Sequence, residues 1–197
     1  VTAISTGGVA VGVMTLNVVL AVMTGFEEDL RDRILGFTPH VVVSDYGASM
    51  PADPSVAERL RGVAGVVAAD PFVQGQAMLA SGSDVAGVVL RGVRPQAGGA
   101  IDFSRHLRDG RLEDLGRRHA VVRDEAATVD LPGIILGTEL ARQLGVAVGQ
   151  PVSVVSPASL PTAVGLVPKV RRFAVVGLFE AGMLEYDSAL AFIGLPE

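Results

Sequence analysis

The sequence predicts an α+β domain carried behind a single membrane-spanning helix. Three observations predict this. Residues Val1 to Met23 contain no charged side chain. Short runs of β-branched residues then recur along the chain, punctuated by Gly, Pro and Asp. Between several of those runs, apolar residues fall at helical spacing.

The first run is long enough to cross a bilayer, which takes about 20 mostly apolar residues in a helix. Its polar members are Thr2, Ser5, Thr6, Thr15 and Asn17. Ser and Thr hydroxyls can bond back to their own helix, so they cost little in lipid. Asn17 is costlier and is expected to face another helix. Gly8 and Gly12 form a G-x-x-x-G pair that would let two helix backbones approach closely. A signal peptide would need a basic leading region, and none is present. The chain is read as cut from a longer protein, with its start inside a membrane span. After the run, Glu27, Glu28, Asp29 and Asp32 outnumber Arg31 and Arg33. Cytoplasmic flanks tend to be rich in Lys and Arg, so this flank is placed outside. Phe26, Leu30, Ile34 and Phe37 recur at helical spacing, and Gly36 and Pro39 end the pattern. The span (1–24) is therefore expected to continue as an amphipathic stalk (25–39).

His40 to Ser44 reads as a strand. Asp53 caps a helix with Pro54 at its first position and Gly62 at its end. Val66–Ala69, Gln76–Ala80 and Val85–Arg91 read as further strands. A β-α-β-β start implies a sheet with helices on one face. Gly98 to Leu131 carries Arg105, Arg108, Arg111, Arg117, Arg118 and Arg123 and is expected to form short helices and loops. Ile134–Leu136 is a short strand. Thr138 is expected to cap a helix carrying Leu140 and Leu144 and ended by Gly145. Strands then follow at Val152–Val155, Val170–Phe179 and Ser188–Ile193.

Composition excludes several function classes. The 197 residues are 49% hydrophobic and 19% charged, with a net charge of -5. Mean hydropathy is +0.47. The acidic balance argues against nucleic-acid binding, which needs clustered Lys and Arg. The absence of cysteine removes disulfides, thiolate metal sites and Cys nucleophiles. His40, His106 and His119 have no ligand-spaced neighbours, so no metal site is expected. No G-x-S-x-G and no G-x-x-x-x-G-K-[ST] motif occurs, so neither a serine-hydrolase nor a nucleotide-hydrolysing site is expected. Glu180, Glu185 and Asp187 sit in a turn beside Gly182. They are read as capping backbone groups or pairing with arginines.

The stretch from Ser156 to Pro168 is harder to dismiss. It holds three prolines, a turn glycine and the apolar residues Leu160, Val164, Leu166 and Val167. A proline-stiffened hairpin exposing such groups loses little entropy on binding a partner. Lys169, Arg171 and Arg172 at its base would steer an acidic partner toward it.

Taken together, ordered stretches along the chain resemble the LolC/LolE family of lipoprotein-releasing ABC transporter permeases, within the wider group with a MacB-like periplasmic domain. They include Val22–Phe26, Leu30–Gly36, Thr38–Val41, Leu90–Val93, Ile134–Gly137, Glu139–Ala141, Leu144–Val146 and Gly177–Ser188, ending Glu185-Tyr186-Asp187-Ser188. The resemblance implies a MacB-like periplasmic domain of two subdomains, one discontinuous: 40–97 plus 174–197, and 98–173. It implies a bacterial inner-membrane permease with its main domain in the periplasm. Such a permease pairs with a second permease and sits on an ABC ATPase, which binds ATP and Mg. No cofactor and no catalytic activity are expected in this chain. The substrate would be a triacylated lipoprotein, passed to a soluble periplasmic chaperone. The family's chaperone-binding hook falls at about 157–168. It would use Leu160, Pro161, Thr162, Val164, Gly165, Leu166 and Val167, with Lys169, Arg171 and Arg172. Family members often carry Thr-Pro-x-Gly there, whereas this chain has Pro161-Thr162-Ala163-Val164-Gly165. Asn17, Leu20, Met23 and Phe26 would line a lipid-substrate cavity, and Gly8 and Gly12 would pack helices. Competing readings are a MacB-type efflux permease and a non-transport signalling permease.

Overall fold

The computed structural model describes residues 2–44, 53–96, 98–101, 103–124, 127–162 and 165–195. The chain forms two compact units, Val1–His40 and Val41–Glu197.

The first unit is one unbroken helix, α1 (Thr2–Phe37), of 36 residues. At about 1.5 Å per residue this is about 54 Å long, more than the roughly 30 Å of a bilayer core. Its Thr2–Arg31 stretch is long and apolar enough to cross a membrane. Gly25 lies inside the helix, so no break separates the expected span from the expected stalk. The hydroxyl of Thr6 donates to the Thr2 carbonyl at 2.9 Å, and that of Thr15 to the Val11 carbonyl at 2.9 Å. These back-bonds are how hydroxyls are tolerated on an apolar helix.

The second unit begins with α2 (Pro54–Arg61). As expected, Asp53 caps it, its carboxylate accepting the Ser55 N–H at 2.9 Å. Strands β1 (Val73–Ser81) and β2 (Asp84–Val93) follow as an antiparallel hairpin. The two-residue turn between them starts at Gly82, whose φ of +56° suits a tight hairpin. After two 3-10 turns and β3 (Leu107–Gly110) come β4 (Arg118–Asp124) and β5 (Ala127–Gly137). Helix α3 (Thr138–Gln143), β6 (Pro151–Thr162), β7 (Gly165–Phe179), α4 (Leu184–Ala189) and β8 (Leu190–Gly194) complete the order.

The pairing runs β7-β6-β1-β2-β8-β5, and β5 pairs back with β7, so six strands close into a ring. Two contacts, β2–β8 and β5–β7, are parallel and the rest antiparallel. Strand alternation fills the interior. Leu79, Val88, Ile134, Leu136, Val154, Phe173 and Val175 share one core with Leu140 and Leu144 of α3. The alternate residues face outward beneath a second layer. There Phe103 stacks on Phe192 at 4.0 Å, and Phe179 meets Phe192 edge-on at 5.4 Å. Leu112 and Leu115, one turn apart in a 3-10 segment, are also fully covered. β1, β2 and β8 come from the portion expected as the first subdomain, and β6 from the portion expected as the inserted one. All four hydrogen-bond in this same ring.

Several expectations are corrected. His40–Ser44 forms no strand: Val41, Val42 and Val43 run irregularly and exposed. Val66–Ala69 is likewise irregular, with Val67 fully exposed. β-branched runs make strands only where another strand supplies hydrogen bonds, and among the described residues none pairs with these. Conversely, the Arg-rich segment contains β3, β4 and the start of β5 besides its two 3-10 turns. β4 and β5 form a hairpin in register from Arg118↔Pro132 to Asp124↔Ala127. The helix expected to be capped by Thr138 is capped by Gly137 instead, and Thr138 is its first residue. A Cβ at Gly137 would lie 2.2 Å from the Asp187 carbonyl oxygen, so close contact selects glycine there. Gly145 does end α3, at φ +62°. The Val146 N–H reaches back to the Ala141 carbonyl at 3.0 Å, and Gly145 to Arg142 at 3.3 Å, a Schellman closure. Finally, Ser188 and Ala189 finish α4, and β8 begins only at Leu190.

Candidate partner-binding arm and membrane helix

The proline-rich stretch, expected as a hairpin between two strands, continues both of them. β6 and β7 stay paired from Pro151↔Ala174 out to Thr162↔Gly165, with one irregularity between Ser156 and Ser159. Their neighbours stop early. β1 pairs with β6 only at Ser153–Val155. β5 and β3 pair with β7 only between Ala174 and Phe179. Beyond Ser156 and Lys169, a two-stranded ribbon therefore continues with no further strand on either edge among the described residues. From Ser156 to Thr162 it extends about 20 Å, at about 3.3 Å per residue.

Free strand edges invite unwanted pairing, and Pro on an edge removes the N–H that such pairing needs. Pro157 and Pro161 on β6 and Pro168 on β7 serve this purpose. The arm's edges are therefore poor templates for a further strand. Of the expected hook residues, Leu160 pairs with Val167, Pro161 with Leu166 and Thr162 with Gly165. Val164 lies outside the described residues.

The basic trio at the base divides between two faces. Alternation puts Lys169 and Arg171 on one side of β7 and Arg172 on the other. The Arg171 guanidinium lies over the Phe173 ring at 5.8 Å, on the face that continues the ring interior. Arg172 is half-buried on the outer face, in register with Ser153. Next to that row, Met78, Val155 and Val170 line up across β1, β6 and β7. Met78 is 51% and Val170 56% exposed. This apolar row at the arm's root was missed in the sequence, because only cross-strand register brings the three residues together.

On α1, Leu20, Met23 and Phe26 are all more than half exposed, and Asn17 is exposed as well. A three-residue step turns a helix by about 300°. These four residues therefore wind across about half the helix circumference instead of forming one stripe. Gly8 and Gly12 do share a face, and no heavy atom lies within 4 Å of a Cβ at either.

The acidic turn is structural, as expected. Glu180 pairs with the Arg108 guanidinium at 2.5 Å. Buried Asp187 accepts the Ala181 N–H at 2.6 Å. His119 Nε2 lies 2.8 Å from the Asp114 carbonyl oxygen. Among the described residues no group of three or more His, Cys, Asp or Glu could hold a metal. The shifted ionisations have local causes. The Ser55 N–H holds the Asp53 carboxyl below its ordinary value. The Arg142 hydrogen bond does the same for Glu139. Burial pulls the Arg91 guanidinium down, where it also donates to Gln74 at 2.7 Å and lies over Phe72.

Comparison with known proteins gives this architecture relatives. The chain is 33% identical to the lipoprotein-releasing system transmembrane protein LolC of Neisseria meningitidis serogroup B, over 97% of this chain and 43% of that protein. It is 29% identical to the lipoprotein-releasing system transmembrane protein LolE of Haemophilus influenzae, over 72% of this chain and 32% of that protein. The chain thus spans less than half the length of these relatives. A crystal structure of the extracellular domain of the noncanonic ABC-type transporter YknZ from Gram-positive bacteria aligns at TM-score 0.44 and 14% identity, over 77% of this chain and 69% of that one. The family description MacB-like periplasmic core domain matches residues 2–195. With the match running from the apolar helix through the last strand of the ring, the chain belongs to the family of proteins with a MacB-like periplasmic core domain.

Proposed function

We propose that this chain is the leading part of a permease subunit of an ABC transporter that releases lipoproteins from the bacterial inner membrane and hands them to a periplasmic chaperone. Its 33% identity to a LolC protein over almost its whole length carries the reading. In this reading α1 is the first span, placing the second unit in the periplasm. The rest of the permease, a second permease subunit and an ABC ATPase complete the machine. ATP and Mg belong to the ATPase, and this chain contributes no catalytic group. Removing an acyl chain from lipid costs about 0.8 kcal/mol per CH₂ exposed. The triacylated substrate therefore needs an outside energy source and a surface that receives it.

The arm is the receiving element. Its paired strands hold Leu160, Pro161, Leu166 and Val167 away from the ring, and Lys169 and Arg171 at its root attract an acidic chaperone. Asn17, Leu20, Met23 and Phe26 would meet the lipid substrate, and Gly8 and Gly12 a neighbouring span. Deleting Ala158–Val167 tests the assignment. The deleted permease is expected to fold and to lose capture of the periplasmic lipoprotein chaperone in a pull-down. Undiminished capture by a folded deletion variant would remove the arm from this role.

A further inference from the structure

A second feature of the same strands has chemistry that the arm does not use. Ala80, Ser153 and Arg172 stand side by side across β1, β6 and β7, in the register Ala80↔Ser153↔Arg172. Their neighbours Leu79, Val152 and Phe173 point into the ring core, so this row faces outward. Over it opens a cleft of about 710 Å³, walled by Ala120 and Val121 of β4 and by the turn from Gly145 to Gln150. That volume falls within the range of about 300–1,000 Å³ seen for small-molecule sites.

The polar groups lining the cleft are matched to one kind of ligand. The Arg172 guanidinium is half-buried, yet it makes no hydrogen bond or ion pair among the described residues. The hydroxyls of Ser81 and Ser153, also half-buried, are free in the same sense. Gln150 spends its Oε1 in accepting the Ala147 N–H at 3.0 Å, which leaves its amide N–H groups to donate. Among the described residues no Asp or Glu lines the cleft. A partly desolvated cation without a partner is costly, and a guanidinium fork matches an oxyanion in two hydrogen bonds. At Gly82 and Gly149 the space a Cβ would fill is open, so the approach is unobstructed. The chain as a whole carries a net charge of -5, so the preference for an anion is local to this cleft.

We propose that the cleft is a binding site for a phosphate-class oxyanion carried on a small polar body, held by Arg172 and seated by Ser81, Ser153 and Gln150. A free phosphorylated solute and a phospholipid headgroup both present this group. The site does not rest on the transport reading, since it is read out by ligand binding and the arm by chaperone capture.

The test is titration calorimetry on the full chain in a zwitterionic detergent, with inorganic phosphate and sn-glycerol 3-phosphate. Parallel binding is measured to vesicles of phosphatidylcholine with and without phosphatidylglycerol. We expect saturable binding of glycerol 3-phosphate, of phosphatidylglycerol vesicles, or of both. The first assigns a soluble ligand and the second a headgroup. Arg172→Gln is expected to weaken binding about tenfold or more, the scale of a lost charged hydrogen bond. Ser153→Ala is expected to weaken it less, and Arg59→Gln, on the exposed face of α2, to leave it unchanged. Matching thermal melts of the parent and Arg172→Gln certify folding. The proposal is overturned if Arg172→Gln binds as well as the parent, if Arg59→Gln loses as much, or if the parent binds none of the three probes.

Discussion

At the scale of single residues, close approach and buried polarity decide more than propensity. Gly137 is required because the α4 backbone lies against it, with the Asp187 carbonyl oxygen 2.2 Å from where a Cβ would sit. Gly137→Ala forces β5 and α4 apart and is expected to cost about 1–3 kcal/mol, as overpacking does. Chemical denaturation measures this, and an unchanged midpoint would show that the contact relaxes freely. Asp187 illustrates the other effect. Its Oδ1 accepts the buried Ala181 N–H at 2.6 Å. Asp187→Ala leaves that donor unsatisfied, at about 1–3 kcal/mol. Asp187→Asn keeps an acceptor oxygen and is expected to cost less, so equal losses in the two variants would refute the capping role. The structural role of this acid was legible from its place in a glycine turn. The glycine at α3's start was not, because the atom that demands it comes from residue 187, fifty positions away in the chain.

At the scale of elements, caps were readable and strands less so. Asp53 with Pro54 announced α2, and the structure places the carboxylate on the Ser55 N–H. That hydrogen bond lowers the Asp53 pKa. A carboxyl lowered on folding stabilises the folded helix above its unfolded pKa, and the contribution is lost as pH falls through the lowered value. The amides of Ser55 to Arg61 are therefore expected to lose hydrogen-exchange protection on acidification below about pH 4. Asp53→Asn can cap without ionising and should show no such loss. If both proteins lose protection alike, the source lies elsewhere. Strands behaved differently. The valines at 41–43 and 66–67 have high strand propensity and form none, whereas the charged Arg118–Asp124 segment does, because β5 pairs with it. The proline-rich stretch, expected as a hairpin, is a paired ribbon, because on free edges its prolines do not interrupt the pairing.

At the scale of the whole second unit, ring closure separates stable from labile parts. Ile134–Leu136 of β5, Gly177–Phe179 of β7 and Ala191–Ile193 of β8 are paired on both edges and largely buried, while the arm beyond Ser156 has only its own two strands among the described residues. Two-stranded ribbons are marginal by themselves. Hydrogen exchange is therefore expected to be slowest at Ile134–Leu136 and Ala191–Phe192, approaching global unfolding, and far faster at Leu160–Thr162. Arm amides as protected as those of β5 would mean that the arm is held by something besides its own pairing.

The sequence by itself determined what depends on neighbours along the chain. A charge-free run long enough for a bilayer, helix caps, a glycine stop and an ordered set of family stretches are all local. They were enough to place α1, α2 and α3, to exclude metal-binding and nucleotide motifs, and to reach the family. Only the tertiary structure decided which β-branched runs become strands, because strand pairing satisfies backbone groups across long separations. It also decided that β6 and β7 outrun their neighbours to make an arm. And it set consecutive Arg171 and Arg172 on different sides of β7, since a period of two sends adjacent side chains to opposite faces.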